Sequence, residues 1–206
     1  MIQRSKRLIM TFIITAALFA GCKKDELSVM EYINYVQNSS NGLRVSKAID
    51  QYQFEIQYEP IEYLITKENK DSLDFSEVFL DAKRKEYGNM HYFVFRIKKE
   101  NGSGDFIKDL SSSSVADYMA YSEYFSVKMQ NDLTLFEGDK SANCVLFHTE
   151  PQNGASAQIV MVLGFEAHKE TGNLTFVYDD KLLGVGPIKL TVKQNDLVDL
   201  PKLKTT

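Results

Sequence analysis

Period-two alternation of apolar and polar residues is what most restricts the fold of this chain. Tyr52, Phe54, Ile56 and Tyr58 alternate with Gln53, Glu55 and Gln57, and Ile188, Leu190 and Val192 alternate with Lys189, Thr191 and Lys193. Leu174, Phe176 and Tyr178 recur at every second position, and Leu43 and Val45 alternate with Arg44 and Ser46. Successive side chains of an extended strand point to opposite faces, so each stretch reads as a strand with one buried face. His91 to Lys99, Cys144 to His148 and Gln158 to Phe165 read as further strands, the last nearly continuous in apolar residues, as in a strand covered on both faces. The links between the later strands are short, with Asp179-Asp180-Lys181 and Gly186-Pro187 as turn signals. Short links favour antiparallel pairing, because parallel strands need long crossovers.

Helical signals are interspersed. Ser28 and Glu31 have capping-box spacing ahead of Met30, Ile33 and Val36, which predicts a helix over 29–37 ending at Asn38 to Gly42. Pro60 closes the strand before it, and Ile61 to Lys67 reads as one or two helical turns. Asp74 and Glu77 make a second cap-like pair for a helix over 75–87 terminated by Gly88. Ser113 or Ser114 caps a helix carrying Tyr118, Tyr121 and Phe125 on one side, after which the chain turns extended near Val127 to Met129. The fold expected is α+β: an antiparallel sheet or two-sheet β-sandwich with two to four flanking helices. An immunoglobulin-like all-β sandwich is the nearest alternative, weakened by the helical stretches and the absence of tryptophan.

The first residues have another logic. Arg4, Lys6 and Arg7 precede an apolar run from Leu8 to Phe19 that is shorter than the roughly 20 residues a spanning helix needs. Ala20, Gly21 and Cys22 follow, and Phe19-Ala20-Gly21-Cys22 resembles the lipobox of bacterial prolipoproteins, with Phe19 in the place of the usual aliphatic residue. The resemblance implies cleavage between Gly21 and Cys22 and a diacylglyceryl group on the Cys22 thiol. Lys23, Lys24, Asp25 and Glu26 look like the surface-export signal of lipoproteins of the Bacteroidetes. Asp71-Ser72-Leu73 fits the O-glycosylation tripeptide of that phylum, with Ser72 as acceptor. Met129 to Asp132, Cys144 to Glu150 and Phe176 to Val192 also look like segments of Bacteroidetes lipoproteins without an assigned activity. The organisation expected is a signal peptide over 1–21, a lipidated tether over 22–27 and a single globular domain over 28–206. Outer-membrane localisation, lipid-anchored and facing the cell surface, follows from the resemblance, with the periplasmic leaflet as alternative.

Composition narrows the function. Removing the leader leaves 21 basic against 28 acidic residues, the reverse of what a phosphate-tracking nucleic-acid binder carries. With Cys22 lipidated, Cys144 has no partner in the chain for a disulfide. His91, His148 and His168 lack the close spacing of a zinc site, and no phosphate loop, dinucleotide fingerprint or nucleophile elbow is present, so neither metal nor cofactor is expected. Cys144 and His148, four apart on a strand, would share a face at about 13 Å, too far for a nucleophile and its base. Glu55, Glu62, Asp179 and Asp180 are scattered acids, the last two in a turn. Tyr118, Tyr121, Tyr124 and Phe125 form the densest aromatic group; Tyr118, Tyr121 and Tyr124 are the candidate binding surface, while the helical spacing of Tyr118, Tyr121 and Phe125 also suits a core face. The function expected is a cell-envelope lipoprotein acting as a non-enzymatic binding module or accessory subunit of an outer-membrane assembly, with a protein or a glycan as its partner. A hydrolase with an unfamiliar site, glycan-processing or other, and a periplasm-facing assembly factor are the rivals.

Overall fold

The computed structural model of the chain describes residues 26–70, 75–102, 104–112, 114–151, 156–168 and 172–205. The strands are β1 (Glu26–Leu27), β2 (Arg44–Ile49), β3 (Tyr52–Glu59), β4 (Met90–Lys99), β5 (Leu133–Glu137), β6 (Lys140–Thr149), β7 (Gln158–Glu166), β8 (Leu174–Asp179), β9 (Pro187–Val192) and β10 (Lys202–Leu203). The helices are α1 (Val29–Gln37), α2 (Ile61–Glu68), α3 (Glu77–Tyr87), α4 (Phe106–Leu110), α5 (Val115–Ser126) and α6 (Gln194–Val198). Strands β2 to β9 form one sheet in the order β2-β3-β4-β7-β6-β5-β8-β9, every neighbour antiparallel. The α+β antiparallel fold expected from the alternation is therefore the fold observed. Four of the helices run eight residues or more, within the expected number, and α4 and α6 are additional five-residue turns.

The sheet curls until its two end strands, β2 and β9, lie alongside each other, giving a nearly closed barrel. Its inside is the core. Phe95 of β4 lies 4.8 Å from Phe176 of β8 by ring centroid, although three strands separate β4 from β8 in the sheet order. Only a wall folded back on itself brings those rings together, and tilted or edge-on aromatic pairs such as Phe93–Phe165 and Phe95–Tyr178 fill the space between. The alternating residues Tyr52, Phe54 and Ile56 of β3 and Leu174, Phe176 and Tyr178 of β8 all point into it. β7 departs from expectation on its outer face, where Val160 and Val162 are only half-buried.

β6 turns the corner of the barrel. Its first residues pair with β5, Lys140 opposite Glu137 and Asn143 opposite Thr134, whereas Leu146 to Thr149 pair with β7. The register slips between Cys144 and Leu146, so Val145 is an extra residue, a β-bulge that bends the strand. The bulge also reverses the side-chain alternation: Ala142 and Cys144 face inward before it, and Phe147 and Thr149 face inward after it.

The helices seal the ends. α1 begins where the capping box placed it, with the Ser28 N–H and hydroxyl both donating to the Glu31 carboxylate at 2.9 and 2.7 Å. Its C-terminal carbonyl at Val36 accepts from buried Gln57 Nε2 at 2.9 Å, and Gln57 Oε1 accepts from Arg44 Nε at 2.7 Å. α3 starts two residues later than the sequence suggested, because Ser76 rather than Asp74 is its cap, its Oγ accepting from the Phe79 N–H. Asp74 lies outside the described residues. Ser114 caps α5 by accepting from the Asp117 N–H at 3.2 Å. The stretch expected to be extended near Val127 to Met129 is instead a 3-10 turn over Lys128–Asp132 that drives Met129 into the core. β5, α6 and the parallel pair β1–β10, which sets Glu26 beside Lys202, carry no clear signal in the sequence.

Candidate functional site

A concavity that brings aromatic and polar side chains together lies between β6 and α5. Phe125, fully buried at the end of α5, packs 5.7 Å from Phe106 and plugs the barrel end. Thr149 Oγ1 donates to the Phe125 carbonyl at 2.5 Å, and Gln130 Nε2 donates to the Cys144 carbonyl at 2.9 Å, which fix the helix and the 3-10 turn beside the strand. Around the Thr149 attachment runs a groove of ≈ 380 Å³, lined by Tyr118, Ser122 and Phe125 on one side and Phe147, His148 and Glu150 on the other. A second hollow of ≈ 350 Å³, lined by Asp105, Lys108, Ser114 and Val115, meets it at Tyr118. Each volume falls in the range of small-ligand sites, about 300–1,000 Å³.

The three tyrosines expected as one surface are divided by the fold. Tyr118, 39% exposed, stands where the two hollows meet. Tyr121 is half-buried and packs against the core. Tyr124 donates to Asp132 at 2.9 Å and lies 3.2 Å from the hydroxyl of Tyr178, which in turn donates to Asp180 at 2.9 Å. Burial pushes the hydroxyls of Tyr124 and Tyr178 far above the usual phenol range, so both stay protonated and serve the fold. Asp180 accepts from the backbone N–H of Leu182, Leu183 and Val185 as well, which makes it the organiser of the turn assigned to it.

A second cluster was invisible in the sequence. His91 on β4 and Glu137 on β5, distant in the chain, meet at the opposite barrel end, with Nε2 of His91 3.4 Å from a carboxylate oxygen of Glu137. The same oxygen accepts the His168 N–H at 2.6 Å, and His168 Nε2 lies 3.2 Å from the Ser141 carbonyl. Glu137 is 5% exposed, and neither ring nitrogen of His91 makes a hydrogen bond among the described residues. Burial holds the His91 pKa below its ordinary value, partly opposed by the Glu137 charge. The Tyr58 ring lies 6.0 Å from His91 and shares this end of the barrel.

Cys144 and His148 do not share a face after all, because the Val145 bulge between them puts the thiol inside and the imidazole outside. Burial pushes the Cys144 thiol up to about 11, and it donates to the Leu146 carbonyl at 3.0 Å. A neutral, buried thiol is a poor nucleophile. Glu55 pairs with Arg96 at 3.1 Å, and Glu62 with Arg84 at 3.0 Å, the latter beside Glu77 and Asp81 on the same guanidinium. No group of three or more His, Cys, Asp or Glu among the described residues is arranged to hold a metal ion. Gly21, Cys22, Lys23, Lys24, Asp25 and Ser72 lie outside the described residues, and Glu26 is the first residue of β1. No described helix is long and apolar enough to cross a membrane. Comparison with protein families, with curated proteins and with solved structures finds no match for this chain.

Proposed function

We propose that this chain is an envelope lipoprotein, anchored in the outer membrane through Cys22, whose body faces outward and binds a partner in the groove between β6 and α5. The anchoring half rests on the lipobox-like Phe19-Ala20-Gly21-Cys22 and the charged residues Lys23 to Glu26 behind it. The observation that carries the binding half is Tyr118, an aromatic ring left part-exposed at the junction of two hollows. An amphipathic ring so placed offers apolar area and a hydroxyl at low entropic cost, which is how tyrosine serves binding surfaces. A hydrolytic reading gains little from the His91–Glu137 pair, whose carboxylate is buried at the other barrel end.

Photo-crosslinking in intact cells tests this. A photoreactive residue at Tyr118 should yield a discrete adduct that the same residue at Lys47 on β2 does not, and added proteinase should digest the body before lysis. Equal cross-linking from both positions, or protection of the body until lysis, would count against the reading. Recovery of periplasmic assembly machinery would favour the inward-facing alternative.

A further inference from the structure

The bulge in β6 has a second effect, on the backbone. The Glu150 N–H donates to the Val160 carbonyl at 2.9 Å, so Glu150 and Val160 are a hydrogen-bonded pair of the antiparallel ladder. His148 opposite Val162 and Leu146 opposite Gly164 are then hydrogen-bonded pairs too, and Phe147 opposite Leu163 and Thr149 opposite Met161 are not. The far side of β7 agrees: the Ala167 N–H donates to the Asn89 carbonyl at 3.0 Å, which directs the N–H and C=O of Leu163 toward β4. The N–H and C=O of Phe147 and Thr149 therefore point away from β7, toward the side where β5 would continue.

β5 does not continue there. It begins at Leu133, and the residues before it leave as the Lys128–Asp132 turn, so no described strand pairs with β6 on that side beyond Asn143. Gln130 Nε2 satisfies the Cys144 carbonyl at one end of the gap. The edge N–H and C=O of Phe147 find no hydrogen-bond partner among the described residues. An unpaired strand edge beside a helix is the geometry in which an extended peptide adds as an extra strand. Glu150 is the charged residue lining the groove, α5 carries Asp117 and Glu123 without a basic residue, the nearby Lys128 is already paired with Glu123 at 2.9 Å, and Lys108 lies in the adjoining hollow.

We infer that the groove between β6 and α5 receives an extended segment of a partner protein as a strand added to the free edge of β6, pairing with the backbone of Phe147. An apolar side chain of the segment lies against Tyr118 and Phe147, and a basic one meets Glu150. This rests on the groove being the binding face, and it names what binds there.

The test uses the full chain in detergent and a displayed library of random dodecapeptides, followed by synthetic copies of the selected sequences. Selected peptides should carry apolar residues at every second position with a Lys or Arg among them. N-methylation of the peptide backbone should abolish binding at alternate residues and spare those between, since only every second N–H faces the strand. Hydrogen exchange at the Phe147 amide should slow when peptide is added, and Glu150→Gln should weaken binding by about tenfold. Peptides whose binding is lost in Tyr118→Ala but whose N-methyl scan shows no alternation would keep the groove as the site and overturn strand addition. Failure to select any peptide sensitive to Tyr118→Ala overturns the inference and leaves cellular cross-linking to judge the groove. Phe147 protection that grows with protein concentration and needs no peptide would mean that β6 pairs with a second copy, which also overturns it.

Discussion

The ring nitrogens of His91 and the amide of Gln57 are buried polar groups with opposite satisfaction. Gln57 uses both ends of its amide, one to complete α1 and one to receive Arg44. Gln57→Leu keeps the volume and leaves the Val36 carbonyl and the Arg44 guanidinium without that partner, so it should cost about 1–3 kcal/mol in urea unfolding. His91 makes no hydrogen bond among the described residues and sits between the Glu137 carboxylate, the Tyr58 ring and the His168 segment. Its folded pKa is below the ordinary 6.5, so below that pH the unfolded chain takes up the proton first. Stability from this residue is complete above about pH 6.5 and falls as the pH drops toward the folded pKa, with a slope of at most about 1.4 kcal/mol per pH unit. Denaturation at a series of pH values should show this slope, and His91→Leu should flatten it. An unchanged slope in the variant would assign the acid sensitivity to other groups.

At the scale of elements, β6 depends on one residue. Deleting Val145 removes the bulge and forces the inward rows on its two sides into a single alternation. Either Ala142 and Cys144 or Phe147 and Thr149 must then leave the interior, at a cost of about 3 kcal/mol or more. Denaturant midpoints compared with the parent chain check this, and a loss below about 1 kcal/mol would sink it. The same residue marks the limit of what the sequence discloses. β3, β8 and β9 are legible because their apolar residues recur without interruption, and α1 because Ser28 and Glu31 form a local motif. β5 is five residues long and follows a polar turn, so Leu133 and Leu135 give too short a pattern to read. A bulge is a property of two strands, and nothing in the letters around Val145 shows that two partners change there. The groove inherits that obscurity: Tyr118 was readable as an aromatic on a helix, while its separation from Tyr121 and Tyr124 and its meeting with Glu150 are consequences of packing. The His91–Glu137 contact is a long-range pairing of the same kind.

For the whole molecule, the open seam between β2 and β9 leaves two strand edges to manage. β2 carries exposed Lys47 at its centre, and β9 carries exposed Pro187 and Lys189. Charge and proline on edge strands discourage pairing between molecules. The pair Lys47→Val and Lys189→Val should therefore promote self-association with little change in stability, measurable by sedimentation velocity. The anchor is tested at the same scale. Metabolic labelling with a palmitate analogue should mark the parent chain and spare Cys22→Ser, and equal labelling of both would remove the basis of the lipoprotein reading. Two or three acyl chains, each buried methylene contributing roughly 0.8 kcal/mol, would hold the body at the membrane almost permanently.

The small parallel pair β1–β10 then acquires a mechanical meaning. It joins Glu26 and Leu27, the last residues of the expected tether, to Lys202 and Leu203, and the Lys204 N–H adds a bond to the Leu27 carbonyl at 2.8 Å. With the chain anchored as proposed, a pull between membrane and partner would enter the body through this clasp. Being only a few hydrogen bonds long, it yields before the eight-stranded wall does. The first response to such a load would then be a short lengthening of the leash, with the barrel and its groove left intact.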